Sequence, residues 1–193
     1  MLPIGPLMIE HRLIERLINV LQVELENIEQ SNEVNPFFID LSVDFIRTYA
    51  DQTHHGKEED ILFRELQAKT LTPEHQQIMN ELIEEHKFGR KTTKELVEAK
   101  ERYVNGGREA LKEVIEKIKV LVDFYPKHIE KEDQHFFIPV MKYFTKAEKD
   151  KMLEEGQIFD RKMIHKKYNK LVSEFEDVRE IQRKSKINWI NNI

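Results

Sequence analysis

Apolar side chains recur at every third or fourth position through most of this chain, the spacing that gives a helix one buried face. The first such stretch runs from about Pro6 to Gln30, with Leu7, Ile14, Ile18, Leu21 and Leu25 on one stripe. Ser31-Asn32-Glu33-Val34-Asn35-Pro36 reads as a loop. A second helix is predicted from about Phe37 to Gln67, its stripe carried by Val43, Ile46, Ala50 and Ile61. Thr72-Pro73-Glu74 supplies the N-cap, first-turn proline and first-turn acid of a third. That helix carries Met79, Leu82, Leu96 and Val97 to about Val104, where Asn105-Gly106-Gly107 stops it. The fourth runs from Arg108 past Glu132, with Ile118, Leu121 and Tyr125 aligned and a kink expected at Pro126. Thr145-Lys146-Ala147-Glu148 has the form of a capping box and opens a fifth helix to about Glu180.

No segment has the alternation of a strand. Long helices joined by short loops favour antiparallel neighbours. The expected fold is therefore all-α: an antiparallel up-down four-helix bundle over residues 1–144, with an additional C-terminal helix and short tail over 145–193 packed on it.

Composition narrows the chemistry by exclusion. No run approaches the ~20 apolar residues of a membrane-spanning helix. Residues Met1 to Glu10 lack the basic start and cleavage pattern of a signal peptide, which points to the cytoplasm. There is no cysteine, so disulfides, thiolate zinc sites, iron–sulfur clusters and thiol catalysis are excluded, and any metal must be held by histidine and carboxylate. A net charge of −5 argues against nucleic acid as the main partner. The basic stretch Arg183-Lys184-Ser185-Lys186 reads as a solvated tail.

Two stretches repeat one another. His54-His55-Gly56-Lys57-Glu58-Glu59-Asp60-Ile61-Leu62-Phe63 aligns with His128-Ile129-Glu130-Lys131-Glu132-Asp133-Gln134-His135-Phe136-Phe137 in the shared frame H-x-x-K-E-acid-x-x-apolar-Phe. Residues four apart share a helix face, so His54 with Glu58, and His128 with Glu132, can reach a common metal centre. A carboxylate has two oxygens and can bridge two ions. Two such motifs facing each other give two bridging carboxylates and two terminal imidazoles, the logic of di-iron sites in bundles. His55 and Glu59 are also four apart, but their counterparts are Ile129 and Asp133, and isoleucine binds no metal; the His54–Glu58 frame is preferred.

Antiparallel neighbours are level where they are equidistant from the turn joining them. The point halfway between His54 and His86 falls just before the Thr72-Pro73 turn, and that between His86 and His128 falls at Gly107. The point between His11 and His54 falls inside the first loop. His11, His54, His86 and His128 should therefore sit at one level, one per helix. One His-x-x-x-Glu is common in charged helices; two copies in matching frames with two further level histidines are a strong metal signal.

These residues resemble the hemerythrin-like (HHE cation-binding) family. The resemblance rests on Glu10-His11-Arg12, His54-x-x-Lys57-Glu58-Glu59-x-x-Leu62-Phe63, Glu85-His86 and His128-x-x-Lys131-Glu132-Asp133, between residue 6 and about residue 141. It implies two non-heme irons joined by an oxo or hydroxo bridge, with His11, His54, His86 and His128 as terminal ligands and Glu58 and Glu132 as bridges. Manganese and zinc also suit such donors. Oxygen-carrying hemerythrins have a second histidine on the third helix, four residues from the first; here Leu82 and Arg90 stand there. A fifth ligand could come from His165, which is level with the site if the fifth helix packs alongside, although it is offset from the stripe Ile164, Tyr168, Leu171 and Phe175. Glu15 and His55 are further candidates. Tyr49 and Tyr125, one turn from His54 and His128, could hydrogen-bond a ligand, while His75 and His135 read as ordinary.

Three functions fit such a site, and the residues leave them open. The first is binding or sensing of oxygen, nitric oxide or a peroxide. The second is an enzyme or stress protein that reduces peroxide or nitric oxide, or supplies iron for repair. The third is iron storage or a structural metal bundle. The fifth helix offers either a cap over the site or a homodimer surface.

Overall fold

The computed structural model describes residues 1–163, 165 and 167. The chain divides into two compact units, Met1–Gly156 and Gln157–Ile193. The described residues of the second unit are helical, and the expected course of the fifth helix from residue 168 to Glu180 lies outside the described residues. No strand occurs among the described residues.

In the first unit, helix α1 spans Ile4–Ser31 and ends at Asn32, whose left-handed backbone (φ 55) turns its N–H onto the Ile28 carbonyl. Helix α2 covers residues 36–67. It opens at Pro36 beneath Asn35, whose side-chain oxygen accepts from the N–H groups of Phe37 and Phe38. Helix α3 is Pro73–Val104, with the Thr72 hydroxyl accepting from the His75 N–H. It stops at a turn through Gly106, whose φ of 98° suits a residue without Cβ. A tight turn at Arg108–Ala110 leads into α4, residues 111–140, which carries Pro126 in its interior. The Thr145–Glu148 capping box forms reciprocally: the Thr145 N–H donates to Glu148 Oε2 at 2.7 Å and the Glu148 N–H to Thr145 Oγ1 at 3.3 Å.

The helical period departs from expectation in α2 and α4. Instead of uniform α-helix, α2 widens to π-helical turns over Ile46–His55 and again over Glu58–Phe63, and α4 does so over Lys131–Phe136. The Thr53 hydroxyl reaches the Thr48 carbonyl five residues back, at 2.7 Å. A π turn holds an extra residue, so neighbours in sequence can face inward together. His54 and His55 are both buried, and so are Ile61, Leu62 and Phe63.

Helix α1 packs on α4 and on the first π-helical stretch of α2; α3 packs on α4 and on α2. One apolar core joins Ile14, Ile18, Leu21 and Leu25 of α1 to Val43, Ile46 and Ala50 of α2, Leu96 and Ala99 of α3, and Val114, Ile118 and Leu121 of α4. Past the histidines along each helix, Leu7, Leu66, Leu82 and Val140 are buried as well. A polar layer is thus enclosed between two apolar stretches. Among the described residues no helix is long and apolar enough to cross a membrane.

Leu121 is fully buried in this core, whereas Val23 on α1 is 58% exposed. Leu121→Ala should therefore cost about 2–5 kcal/mol of unfolding free energy, and Val23→Ala no more than about 0.5 kcal/mol. Urea unfolding of the two variants reads the difference directly; equal losses would contradict the placement of the core.

Candidate metal centre

The inward stripe of α1 places His11 between Leu7 and Ile14, and that of α3 places His86 one turn past Leu82. The π turns of α2 and α4 bring in His54 with Glu58 and His128 with Glu132. All six side chains are buried, and His11, Glu58, His86 and Glu132 are wholly inaccessible.

Each of the four imidazoles has one engaged nitrogen and one free. The Nδ1 nitrogens donate to carboxylates: His11 to Asp133 at 2.8 Å, His54 to Glu10 at 2.9 Å, His86 to Glu59 at 2.6 Å and His128 to Glu85 at 2.8 Å. That leaves each Nε2 as a lone-pair donor turned inward. The carboxylates are held in turn by cations, Arg12 on Asp133, Lys57 on Glu10, Arg90 on Glu59 and Lys131 on Glu85. The pattern is cyclic. Each acid comes from the preceding helix, with α4 preceding α1, and the histidine and cation that clasp it share one helix.

Glu58 and Glu132 lie between the free nitrogens. Glu58 is 3.5 Å from His54 Nε2 and 3.3 Å from His86 Nε2. Glu132 is 3.4 Å from His128 Nε2 and 3.1 Å from His11 Nε2, with His86 Nε2 at 3.7 Å. These approaches are not aligned as hydrogen bonds. Nine buried side-chain nitrogen and oxygen atoms are left without a partner among the described residues, and all nine belong to His11, His54, His55, Glu58, His86, His128 and Glu132. Burying a carboxylate this way costs several kcal/mol unless something else satisfies it. The donor atoms form two groups, each within 4.8 Å: His11, His54, Glu58 and Glu132 in one, and His55, His86 and His128 in the other. Four or more nitrogen donors with two carboxylates free on both oxygens suit a divalent or trivalent transition metal.

The electrostatics follow from the same contacts. Burial works against protonating His11, but its bonds to Asp133 and its closeness to Glu132 outweigh that and push it up to about 10. His86 rises to about 11 against the same opposition, beside Glu132, Glu58 and Glu59. Burial would raise Glu132, yet His128, His11 and His86 hold it well below the ordinary carboxylate range. His55 is pushed well below the ordinary imidazole value by burial and by the neighbouring His86, His128 and His54.

Aromatic rings close the polar layer. Phe137 stacks on His11 at 5.5 Å, Phe63 on His86 at 5.9 Å and Phe124 on His128 at 5.3 Å. Phe63 and Phe137 are the last matching residues of the sequence repeat, so the two halves agree in their cover as well as in their histidines and glutamates.

The other candidates are placed differently. Glu15 is half-buried and turned to the Arg12 guanidinium at 3.0 Å. His165 lies in the second unit and is exposed. His55 is buried in the second group, its ring stacked 3.9 Å from that of His86. Tyr125 is buried and Tyr49 half-buried; the Tyr125 hydroxyl is driven up by burial. His75 donates or accepts at Tyr143, 2.7 Å away, at the far end of α3. The sequence reading missed the roles of Glu10, Glu59, Glu85 and Asp133. Each stands directly beside a histidine or glutamate of the site, and that adjacency is the signal that marks them.

The chain matches the hemerythrin HHE cation binding domain over residues 2–138. Comparison with curated proteins and with solved structures gives no significant match. The matched stretch contains every helix that contributes to the polar layer and most of the chain, and this protein belongs to the hemerythrin HHE cation-binding domain family.

Proposed function

We propose that the bundle holds a pair of iron ions between Glu58 and Glu132, with His11, His54, His86 and His128 as terminal ligands, and that this centre binds oxygen, a peroxide or nitric oxide. The observation that carries the reading is the set of buried donor atoms without partners, gathered at one level of the bundle. The contacts of α1 with α4 and α2, and of α3 with α4 and α2, support an antiparallel four-helix arrangement around them. We also read residues 145–193 as an appendage to the bundle over 1–144, and the protein as cytoplasmic.

An iron pair so held supplies redox chemistry and coordination positions for a small ligand. The chain contributes the rest. The clasps fix each imidazole in the tautomer whose Nε2 is free. Phe63, Phe124 and Phe137 keep water from the polar layer. Iron is favoured over zinc because both oxygens of each carboxylate are free to bridge; manganese shares the donor set.

Protein purified aerobically from iron-replete cells should carry about two irons per chain and show ferric charge-transfer absorption. His54→Ala and Glu132→Ala should each lose iron, and unchanged iron in both would refute the assignment. Exposing the reduced protein to oxygen, peroxide or nitric oxide separates the three functions: a reversible spectrum marks binding, sustained consumption of peroxide marks an enzyme, and no response marks storage.

Glu10→Gln and Lys57→Met disturb the clasp on His54 without replacing a proposed ligand. Iron affinity measured by chelator competition should fall about 10–100-fold in each. An affinity equal to wild type would mean the clasps do not orient the imidazoles.

The metal-free chain should also lose stability as the pH rises. His11 and His86 have folded values of about 10 and about 11, above their ordinary 6.5. Their protonated, paired forms stabilise the fold fully below about pH 6.5, and that contribution is lost as the pH climbs through the folded values. Denaturant midpoints of metal-free protein should fall between pH 6.5 and 10, and those of the iron-loaded protein should fall less, because the metal takes the place of these protons. Parallel curves for both forms would contradict this.

A further inference from the structure

His55 differs from the four histidines His11, His54, His86 and His128 of the polar layer in two ways. Their outer nitrogens are fixed by carboxylates at 2.6–2.9 Å. The Nδ1 of His55 is buried without a hydrogen-bond partner. Its nearest acid, Asp51, stands 3.6 Å away and is engaged instead by Arg90 Nε at 2.7 Å. The same guanidinium also holds Glu59, the acid that fixes His86. Arg90 therefore fastens one imidazole and withholds the fastening of another.

His55 also has open space beside it. A cavity of about 80 Å³ is lined by Ile46, Asp51, His55, Arg90, Thr93 and Tyr125. A water needs about 10–15 Å³ measured this way, so the cavity has room for several waters or for one small ligand of a few heavy atoms. On its other side the His55 ring stacks on His86, and one of its nitrogens lies within 4.8 Å of donor nitrogens of His86 and His128. The ring is thus the partition between a small cavity and the buried donor set.

Resting on the iron-pair reading above, we propose that His55 is an exchangeable fifth imidazole: it binds the metal held by His86 and His128, and a small ligand arriving through this cavity displaces it. In the exchange the His55 nitrogen–metal bond breaks and a ligand–metal bond forms, with no electron transferred. The other histidines cannot yield in this way, because a carboxylate–cation clasp holds each in position. The extra residue of the π turn at Ile46–His55 is what lets His55 face the centre beside His54. The ligands that fit are small, and neutral or singly negative, since Arg47 on the cavity lining adds a cation beside Arg90, whose charge is matched by Asp51 and Glu59.

The test uses the iron-loaded full chain with azide as the probe. In wild type the rate of azide binding should level off at high azide, where release of His55 sets the pace. In His55→Ala it should keep rising in proportion to azide, and the two iron environments resolved by Mössbauer spectroscopy before azide is added should become more alike. Thr93→Leu, which fills the cavity without touching a donor, should slow azide binding at unchanged iron content, and it serves alone if His55→Ala does not retain iron. An iron pair present in wild type, with azide rates and Mössbauer spectra unaffected by either variant, overturns the exchange and leaves the iron-pair reading standing. Wild-type chain that holds no iron pair overturns that reading, and this one with it.

Discussion

Two carboxylates and the inner nitrogens of four imidazoles face one another in the middle of this bundle with no hydrogen-bond partner among the described residues, and the rest of the structure is arranged around that expense. Bare carboxylates buried among aromatic rings are among the costliest things a fold can contain. The opposite nitrogen of each ring, Nδ1, is fully engaged. Each imidazole leans on an acid and each acid on a cation, so the net charge of each clasp is dispersed over three side chains. The clasps also account for residues that would otherwise be anomalous. Glu10 and Lys57 are almost fully buried, and each is the other's reason for being there.

The clasps close a ring. Because every acid is contributed by the helix before the histidine it holds, each helix is tied to both of its neighbours at this level. The sequence repeat makes the ring nearly two-fold: His54–Glu10–Lys57 corresponds to His128–Glu85–Lys131, and His86–Glu59–Arg90 to His11–Asp133–Arg12. The correspondence fails in an instructive place. Arg90 lies one turn from its histidine, whereas Arg12 directly follows His11. Arg90 takes Asp51 as well as Glu59, whereas the positions of Asp51 and His55 are held in the other half by Tyr125 and Ile129.

Much of this was readable before the fold was known. The apolar stripes located α1, α3 and the first halves of α2 and α4, and counting outward from the turns put His11, His54, His86 and His128 together, where the structure brings them. Counting works because it depends on turn positions and not on local twist. What it could not supply was the phase of α2. An α-helical period sends His54 and His55 in directions about 100° apart, so accepting one meant setting the other aside. The repeat reinforced that choice through Ile129, the counterpart of His55. Yet Ile129 is buried too: the two halves share the geometry there and differ in chemistry, which residue matching alone does not separate. The clasps were hidden for another reason. Acids flanking these histidines and glutamates look like ordinary solvated charge in a chain where 35% of residues are charged, and only the packing of neighbouring helices shows which of them turn inward.

The wide turns at Ile46–His55, Glu58–Phe63 and Lys131–Phe136 have a consequence for how such a chain can vary. A π turn is a one-residue surplus absorbed inside a helix instead of in a loop. Removing that surplus residue would return the turn to the α period and rotate everything beyond it by about 100°. In α2, Glu58, Phe63 and Leu66 would swing off the interior together while their own identities stayed intact. The loops after Ser31 and Val104 can gain or lose residues with little penalty, but α2 and α4 cannot. In these two helices the number of residues fixes the centre as much as their kind does, and length can change freely only at the ends of the bundle.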